Sequence, residues 1–111
     1  MEHYHDPSDR QYMKNLRVGA REESKAFLEL NSAVARADGA IPVKYRELIS
    51  IAVALTTQCA YCIETHVAAA KAAGASEQEI SETVFVTAAM RAGAAVAHGR
   101  MAIKLFQQDG S

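Results

Sequence analysis

Twenty-two of the 111 residues are alanine, and the only two prolines stand at positions 7 and 42. Alanine is the strongest helix former, and proline is the residue that a helix interior tolerates least. A chain built this way is expected to be helical along nearly its whole length. No stretch alternates apolar and polar residues between turn signals as a half-buried strand does. The fold class expected is all-α: a bundle of about six helices, forming a single domain over 1–111 with its core at about 22–106.

Local signals divide the chain. Asp6-Pro7-Ser8 opens a mostly polar helix over 8–18, which Gly19 ends or bends. A second helix over 21–37 places Phe27, Leu30, Val34 and Ala37 on one face and stops at Asp38-Gly39. Pro42 suits the first turn of a third helix that runs to about Thr57. Its middle, Leu48 to Leu55, is apolar nearly all round, which predicts a central, buried helix. A fourth helix covers 60–73 and ends at Gly74. Ser76 and Glu79 form a capping box that opens a fifth helix over 77–91. A sixth over 94–107 turns Val96, Ile103 and Phe106 inward, and the residues from Gln107 to Ser111 fray. With seven aromatic residues and many Ala and Gly, each helix buries little area. This composition suggests that subunits share part of their core in an oligomer.

Charge narrows the partners. Twelve basic and thirteen acidic residues leave a formal net charge of −1, which gives no electrostatic reason to expect nucleic acid or an anionic membrane. The first ten residues are polar and lack the apolar centre of a signal peptide. The run from Leu48 to Leu55, broken by Ser50, falls far short of the ~20 residues that span a bilayer. A cytoplasmic protein is the expectation. Thiols there are kept reduced, so two cysteines three residues apart point to catalysis, redox exchange or metal binding rather than a permanent staple.

Those cysteines, Cys59 and Cys62, begin the fourth helix, and His66 follows one turn later. Offsets of three and four share one helix face, so all three line a single edge. A helix N-terminus favours an anion, so a thiol there carries more thiolate. His66 can exchange a proton near neutral pH. Glu47 stands twelve residues before Cys59, at the edge of the apolar run. An antiparallel hairpin of helices three and four would let its half-buried carboxylate face the pair, with Thr56, Thr57 and Gln58 at the turn.

The pattern Glu47-x11-Cys59-x2-Cys62-x3-His66 resembles the signature of the alkylhydroperoxidase D family, within the carboxymuconolactone decarboxylase superfamily. The flanks are similar too: Lys44-Tyr45-Arg46-Glu47-Leu48-Ile49 before it, and His66 through Ala75 after it. The likeness covers about 22–106 and fits the compact, single-domain branch. It implies an all-α subunit that assembles as a homo-oligomer, a trimer or a hexamer. It implies thiol-dependent reduction of alkyl hydroperoxides, a peroxiredoxin activity serving antioxidant defence. In this reading Cys62 attacks the peroxide and Cys59 supplies a proton and then closes the disulfide. His66 and Glu47 relay protons. No tightly bound cofactor is implied; the reductant is an external dithiol, such as a lipoyl group on a carrier protein or another thiol carrier. Well-known members carry a histidine just before the second cysteine, where this chain has Tyr61. The decarboxylase branch generally lacks the cysteine pair, so lactone decarboxylation is disfavoured.

Other readings of the same residues stay open. The two cysteines could be buried, inert thiols, or could form the switch of a non-catalytic redox-sensing or regulatory protein. They could hold structural zinc with His66 and a fourth ligand from Glu47 or His98. Covalent haem attachment is excluded, because Ile63 stands where that motif needs histidine. His98 reads as a structural or interface residue and Tyr61 as a packing or pocket residue. His3 and His5 read as part of a disordered N-terminus. The Arg21 to Lys25 charge cluster reads as a solvated helix start. Leu48, Ile51, Leu55 and Phe85 serve equally well as pocket lining or as core.

Overall fold

The computed structural model describes residues 5–108, and His3 lies outside them. A 3-10 turn, Pro7–Tyr12, leads into α1 (Met13–Gly19), followed by α2 (Arg21–Val34), α3 (Val43–Thr57), α4 (Ala60–Ala72) and α5 (Glu77–Gln108). No strand occurs among the described residues, so the all-α expectation holds.

The start signals act as their chemistry dictates. Asp6 caps the 3-10 turn, and its side chain and that of Asp9 each accept a backbone N–H from the other's end of the turn. Ser76 and Glu79 do the same for α5: Glu79 N–H donates to Ser76 Oγ at 3.0 Å and Ser76 N–H to Glu79 Oε1 at 2.9 Å. Both satisfy amide donors that a helix start leaves without an internal partner. Gly74, at φ +95°, takes the left-handed turn that follows α4, a conformation that costs glycine little.

Several boundaries differ from the sequence reading. The helix expected over 8–18 is a 3-10 turn to Tyr12 followed by the short α1, and Gln107 and Gln108, expected to fray, are the last residues of α5. The second helix stops at Val34, three residues early. There the Arg46 guanidinium donates to Val34 O at 2.6 Å and to Ile41 O at 2.8 Å, so a side chain from α3 satisfies the Val34 carbonyl that would otherwise extend α2. The fifth and sixth helices are one, a 32-residue helix that passes through Gly93 without a break. One glycine costs about 1 kcal/mol relative to alanine in a helix interior. The alanines around Gly93 favour helix strongly enough to absorb it.

α3 and α4 form an antiparallel hairpin, and α5 lies along the other side of α3. α5 runs parallel to α3, because ties hold both ends in step. Lys44 Nζ meets Glu79 Oε2 at 3.0 Å near the two starts. Twelve residues later on each helix, Arg91 Nη1 reaches Leu55 O and Thr56 O at 3.5 and 3.3 Å. The matched stretch is about 18 Å long. Past Arg91, α5 continues for 17 residues, about 25 Å, beyond the end of α3. α1 packs on α2.

This arrangement buries little. Among the described residues the buried side chains are Ile51, Ala54, Ala70 and Thr87. The radius of gyration is 18.9 Å, against about 13 Å for a compact chain of this length. α3 is central as expected, yet it is not buried all round, since Ile49 and Val53 remain exposed. Phe27, Leu30 and Val34 of α2 are exposed as well. So are Val96, Ile103 and Phe106, which do not turn inward: they lie on the part of α5 that continues past its ties to α3. α5 is also the one helix among the described residues long and apolar enough, by length and composition, to cross a membrane.

Candidate redox site

Gln58 reverses the chain between α3 and α4. It is the one non-glycine residue at positive φ among those described, at φ 57° and ψ 44°, and its N–H closes α3 on Ala54 O. Cys59 follows in extended conformation as the N-cap of α4, and its Sγ accepts the Cys62 N–H at 3.2 Å. The sulfur thus occupies the place where a serine or aspartate oxygen ordinarily caps a helix. Cys59 and Cys62 are joined in a disulfide, with their Cα atoms 5.3 Å apart. Both sulfurs sit at the positive end of the helix dipole, which favours the thiolate form once the bond opens.

One turn further along α4, His66 Nδ1 lies 2.6 Å from Glu47 Oε2. The expected hairpin brings this contact about: Glu47, in the second turn of α3, meets the middle of α4. The Glu47 side chain is 13% exposed and that of His66 30%. A mostly buried carboxylate bound to one ring nitrogen fixes the imidazole's orientation and directs its other nitrogen elsewhere. Cys62 and His66, four residues apart on one helix, share a face. Cys59 and Cys62 are thus bonded to each other, Glu47 and His66 are bonded to each other, and α4 holds the two pairs in register.

The remaining candidates lie elsewhere. Tyr61 does not turn its hydroxyl to the sulfurs; it donates to Asp9 Oδ2 at 2.7 Å. Nearby, Arg10 pairs with Glu64 at 3.5 Å and the His5 ring stands edge-on to Tyr61 at 6.1 Å. The N-terminal segment therefore lies along α4 and leaves an open groove of about 820 Å³, lined by Tyr12, Met13, Leu16, Tyr61 and Ala68 among others. His98 is exposed on the projecting part of α5. Among the described residues no group of three or more His, Cys, Asp and Glu side chains is placed to hold a metal ion. Ile51 is core, Leu48 and Leu55 are half-buried, and Phe85 is exposed. The Thr56 and Thr57 hydroxyls turn back onto Val53 O instead of facing the sulfurs.

Arg91 escaped the sequence reading. Its contacts with the last carbonyls of α3 put a cation at the negative end of that helix, immediately before the Gln58–Cys59 turn. The only trace in the sequence is a lone charge inside an otherwise apolar stretch.

The chain is 47% identical over 87 residues to a Paracoccus denitrificans protein described as uncharacterized protein 4 in cox locus, covering 78% of each chain. The sequence pattern of the carboxymuconolactone decarboxylase family matches residues 21–104, from the start of α2 almost to the end of α5. With three quarters of its length inside that match, the chain belongs to the carboxymuconolactone decarboxylase family.

Proposed function

We propose that this protein is a thiol-dependent peroxidase of the alkylhydroperoxidase kind. The observation that carries the reading is the disulfide between Cys59 and Cys62 at the start of α4, held in register with the Glu47–His66 pair. The Cys62 thiolate attacks the terminal oxygen of a hydroperoxide. The O–O bond breaks, the thiol is oxidised to a sulfenic acid, and an alcohol leaves after taking up a proton. Cys59 supplies that proton, and the Glu47–His66 pair relays one back to it. The Cys59 thiol then displaces water from the sulfenic acid and closes the disulfide. An external dithiol, such as a lipoyl group on a carrier protein, restores both thiols by exchange and leaves as its own disulfide. A homo-oligomer, trimeric or hexameric, covers the apolar surface that the single chain exposes.

Peroxide consumption tests the reading, measured on purified, metal-free protein supplied with dihydrolipoamide, wild type beside Cys62→Ser. Turnover present in the wild type and lost in the variant is the expected result. Full activity in Cys62→Ser sinks the assignment. No turnover in either protein moves the cysteine pair to a non-catalytic redox switch, read out as stoichiometric oxidation coupled to a change in assembly.

A further inference from the structure

We infer that the cations of residues 10–21 form a docking surface beside the Cys59–Cys62 disulfide, and that the partner they take is an acidic segment of a protein that carries the reducing dithiol. This rests on the thiol-dependent reading above and adds to it which carrier the site accepts.

Between Asp9 and Glu22 stand Arg10, Lys14, Arg17 and Arg21 and no acidic residue. The other 99 residues carry eight basic and thirteen acidic ones. A chain of net charge −1 thus concentrates positive charge in one short stretch. Lys14 and Arg17, three apart on α1, share a side of that helix, and Lys14, Arg17 and Arg21 are all exposed. Arg17, Arg21 and Lys25 line one open groove of about 690 Å³ between α1 and α2, together with Ser24, Leu28 and Glu29. Glu29 holds Lys25 at 3.1 Å. Among the described residues Lys14, Arg17 and Arg21 enter no ion pair.

The redox site lies next to the start of this stretch. Asp9 binds Tyr61 and Arg10 pairs with Glu64, the residue just before Cys62 and the one two places after it. Farther along, Met13 and Leu16 line the same groove as Tyr61, Thr65 and Ala68. The segment therefore follows the first two turns of α4, where Tyr61 to Ala68 spans about 10 Å. Salt screens charges over about 8–10 Å, so the nearer cations act on whatever approaches the disulfide. The carboxylates close by are engaged: Asp6 caps the 3-10 turn, Asp9 accepts from Tyr61, and Glu64 meets Arg10. All these cations but Arg21 precede the stretch that matches the family, so the surface is not part of what its members share.

Reduction of the disulfide takes two electrons and two protons from a dithiol. A carrier thiolate attacks one sulfur, a mixed disulfide forms, and the carrier's second thiol displaces it. The carrier leaves oxidised, and Cys59 and Cys62 leave as thiols. A small neutral dithiol gains nothing from four cations. A dithiol flanked by aspartates and glutamates on a protein does, because opposite charge steers the encounter and raises the association rate. Nucleic acid or an anionic bilayer would extend past the patch and meet the net acidic remainder of the chain, which repels it. A short acidic segment need cover only residues 10–21.

The test mixes oxidised protein with free dihydrolipoamide and, separately, with three synthetic peptides. Each peptide bears one dihydrolipoyl-lysine, flanked by glutamates, by serines or by lysines. Reduced protein is read over time by alkylation and mass. At about 20 mM salt the acidic peptide should act about tenfold faster than the neutral one and the basic peptide slowest, and the three should converge at about 500 mM. In Lys14→Glu/Arg17→Glu/Arg21→Glu the ratio of acidic to basic rates should invert; a ratio taken within one protein excludes any general loss of fold. Equal rates for the three peptides in the wild type, with dihydrolipoamide still active, overturn the docking surface and leave the thiol-dependent reading standing. An acidic preference that survives in the triple variant overturns it too. Binding to phosphatidylglycerol vesicles or single-stranded RNA, with no preference among the peptides, gives the patch to that polyanion and overturns it as well. No reduction by any of the four dithiols overturns the surface and the reading together.

Discussion

Glu47 and His66 stand nineteen residues apart in the chain and 2.6 Å apart across the α3–α4 hairpin. The carboxylate is the more buried of the two, so it fixes the orientation of the imidazole, which in the proposed reaction relays protons. Glu47→Gln keeps the shape and removes the charge. Positioned acid–base catalysis is worth about 10²–10⁴-fold, and a residue acting through another supplies part of that. Peroxide-driven oxidation of the reduced protein, followed by stopped flow, should slow by about 10- to 100-fold. Its pH profile should change shape, whereas the disulfide should still form at the end point.

The roles proposed for the two cysteines differ, and so should their variants. In Cys59→Ser the attacking thiol remains and its partner is gone. One equivalent of peroxide should leave a sulfenic acid on Cys62 that dimedone traps, read as an added mass on the peptide carrying Cys62. No adduct at Cys62, or an adduct on Cys59 in the Cys62→Ser protein, would reverse the assignment.

Gly39 lies against the Arg46 guanidinium, on which an added Cβ would land. Arg46 cannot simply swing aside, because it holds Val34 O and Ile41 O. Hydrogen bonds to charged groups contribute about 1.5–3 kcal/mol each, and a partial loss here should lower unfolding stability by about 1–2 kcal/mol in Gly39→Ala. Since both changes act on one contact, adding Gly39→Ala to Arg46→Ala should cost almost nothing more. Urea unfolding of the two single variants and the double variant measures this.

The clip between Lys44 and Glu79 makes stability depend on pH in a definite direction. The Ser76 N–H and then Lys44 hold the Glu79 carboxyl below its ordinary value of 4.5. Glu79 chiefly holds the Lys44 ammonium above 10.5. A lowered acid stabilises fully above its unfolded value and loses this as pH falls through its folded one; a raised base stabilises fully below its unfolded value and loses this as pH rises through its folded one. The clip is therefore complete between about pH 4.5 and 10.5. Wild type should exceed Glu79→Gln in stability across that window, and the two should converge in acid. A gap that persists unchanged at pH 3 would show that Glu79 acts through its shape alone.

Local chemistry made much of this structure legible. Asp6, Pro42, Gly74 and the Ser76–Glu79 box mark where helices begin and end, because caps and turns depend on adjacent residues. The spacing from Glu47 to His66 was readable because one hairpin and one helix face convert spacing into proximity. What failed depended on distant parts of the chain. α2 ends early because Arg46, twelve residues away, takes its last carbonyl. The stripe of Val96, Ile103 and Phe106 reads as inward from its pattern alone, yet a pattern does not say whether the surface it seeks belongs to the same chain. The gap expected between a fifth and a sixth helix falls at Gly93, and its alanine neighbours carry the helix through. Tyr61 could not be placed, because its partner Asp9 lies 52 residues away.

The shortage of buried side chains bears on how this protein must be handled. Ile51, Ala54, Ala70 and Thr87 are a thin interior for a folded domain. Anything that binds the folded form alone raises its apparent stability by mass action, and in the proposed homo-oligomer a neighbouring subunit is such a ligand. The melting temperature should then climb with protein concentration, and dilution should weaken fold and activity together. An assay run at nanomolar enzyme would sample a different population from one run at micromolar. Rate per subunit should be compared across that range before any loss of turnover is attributed to a side chain.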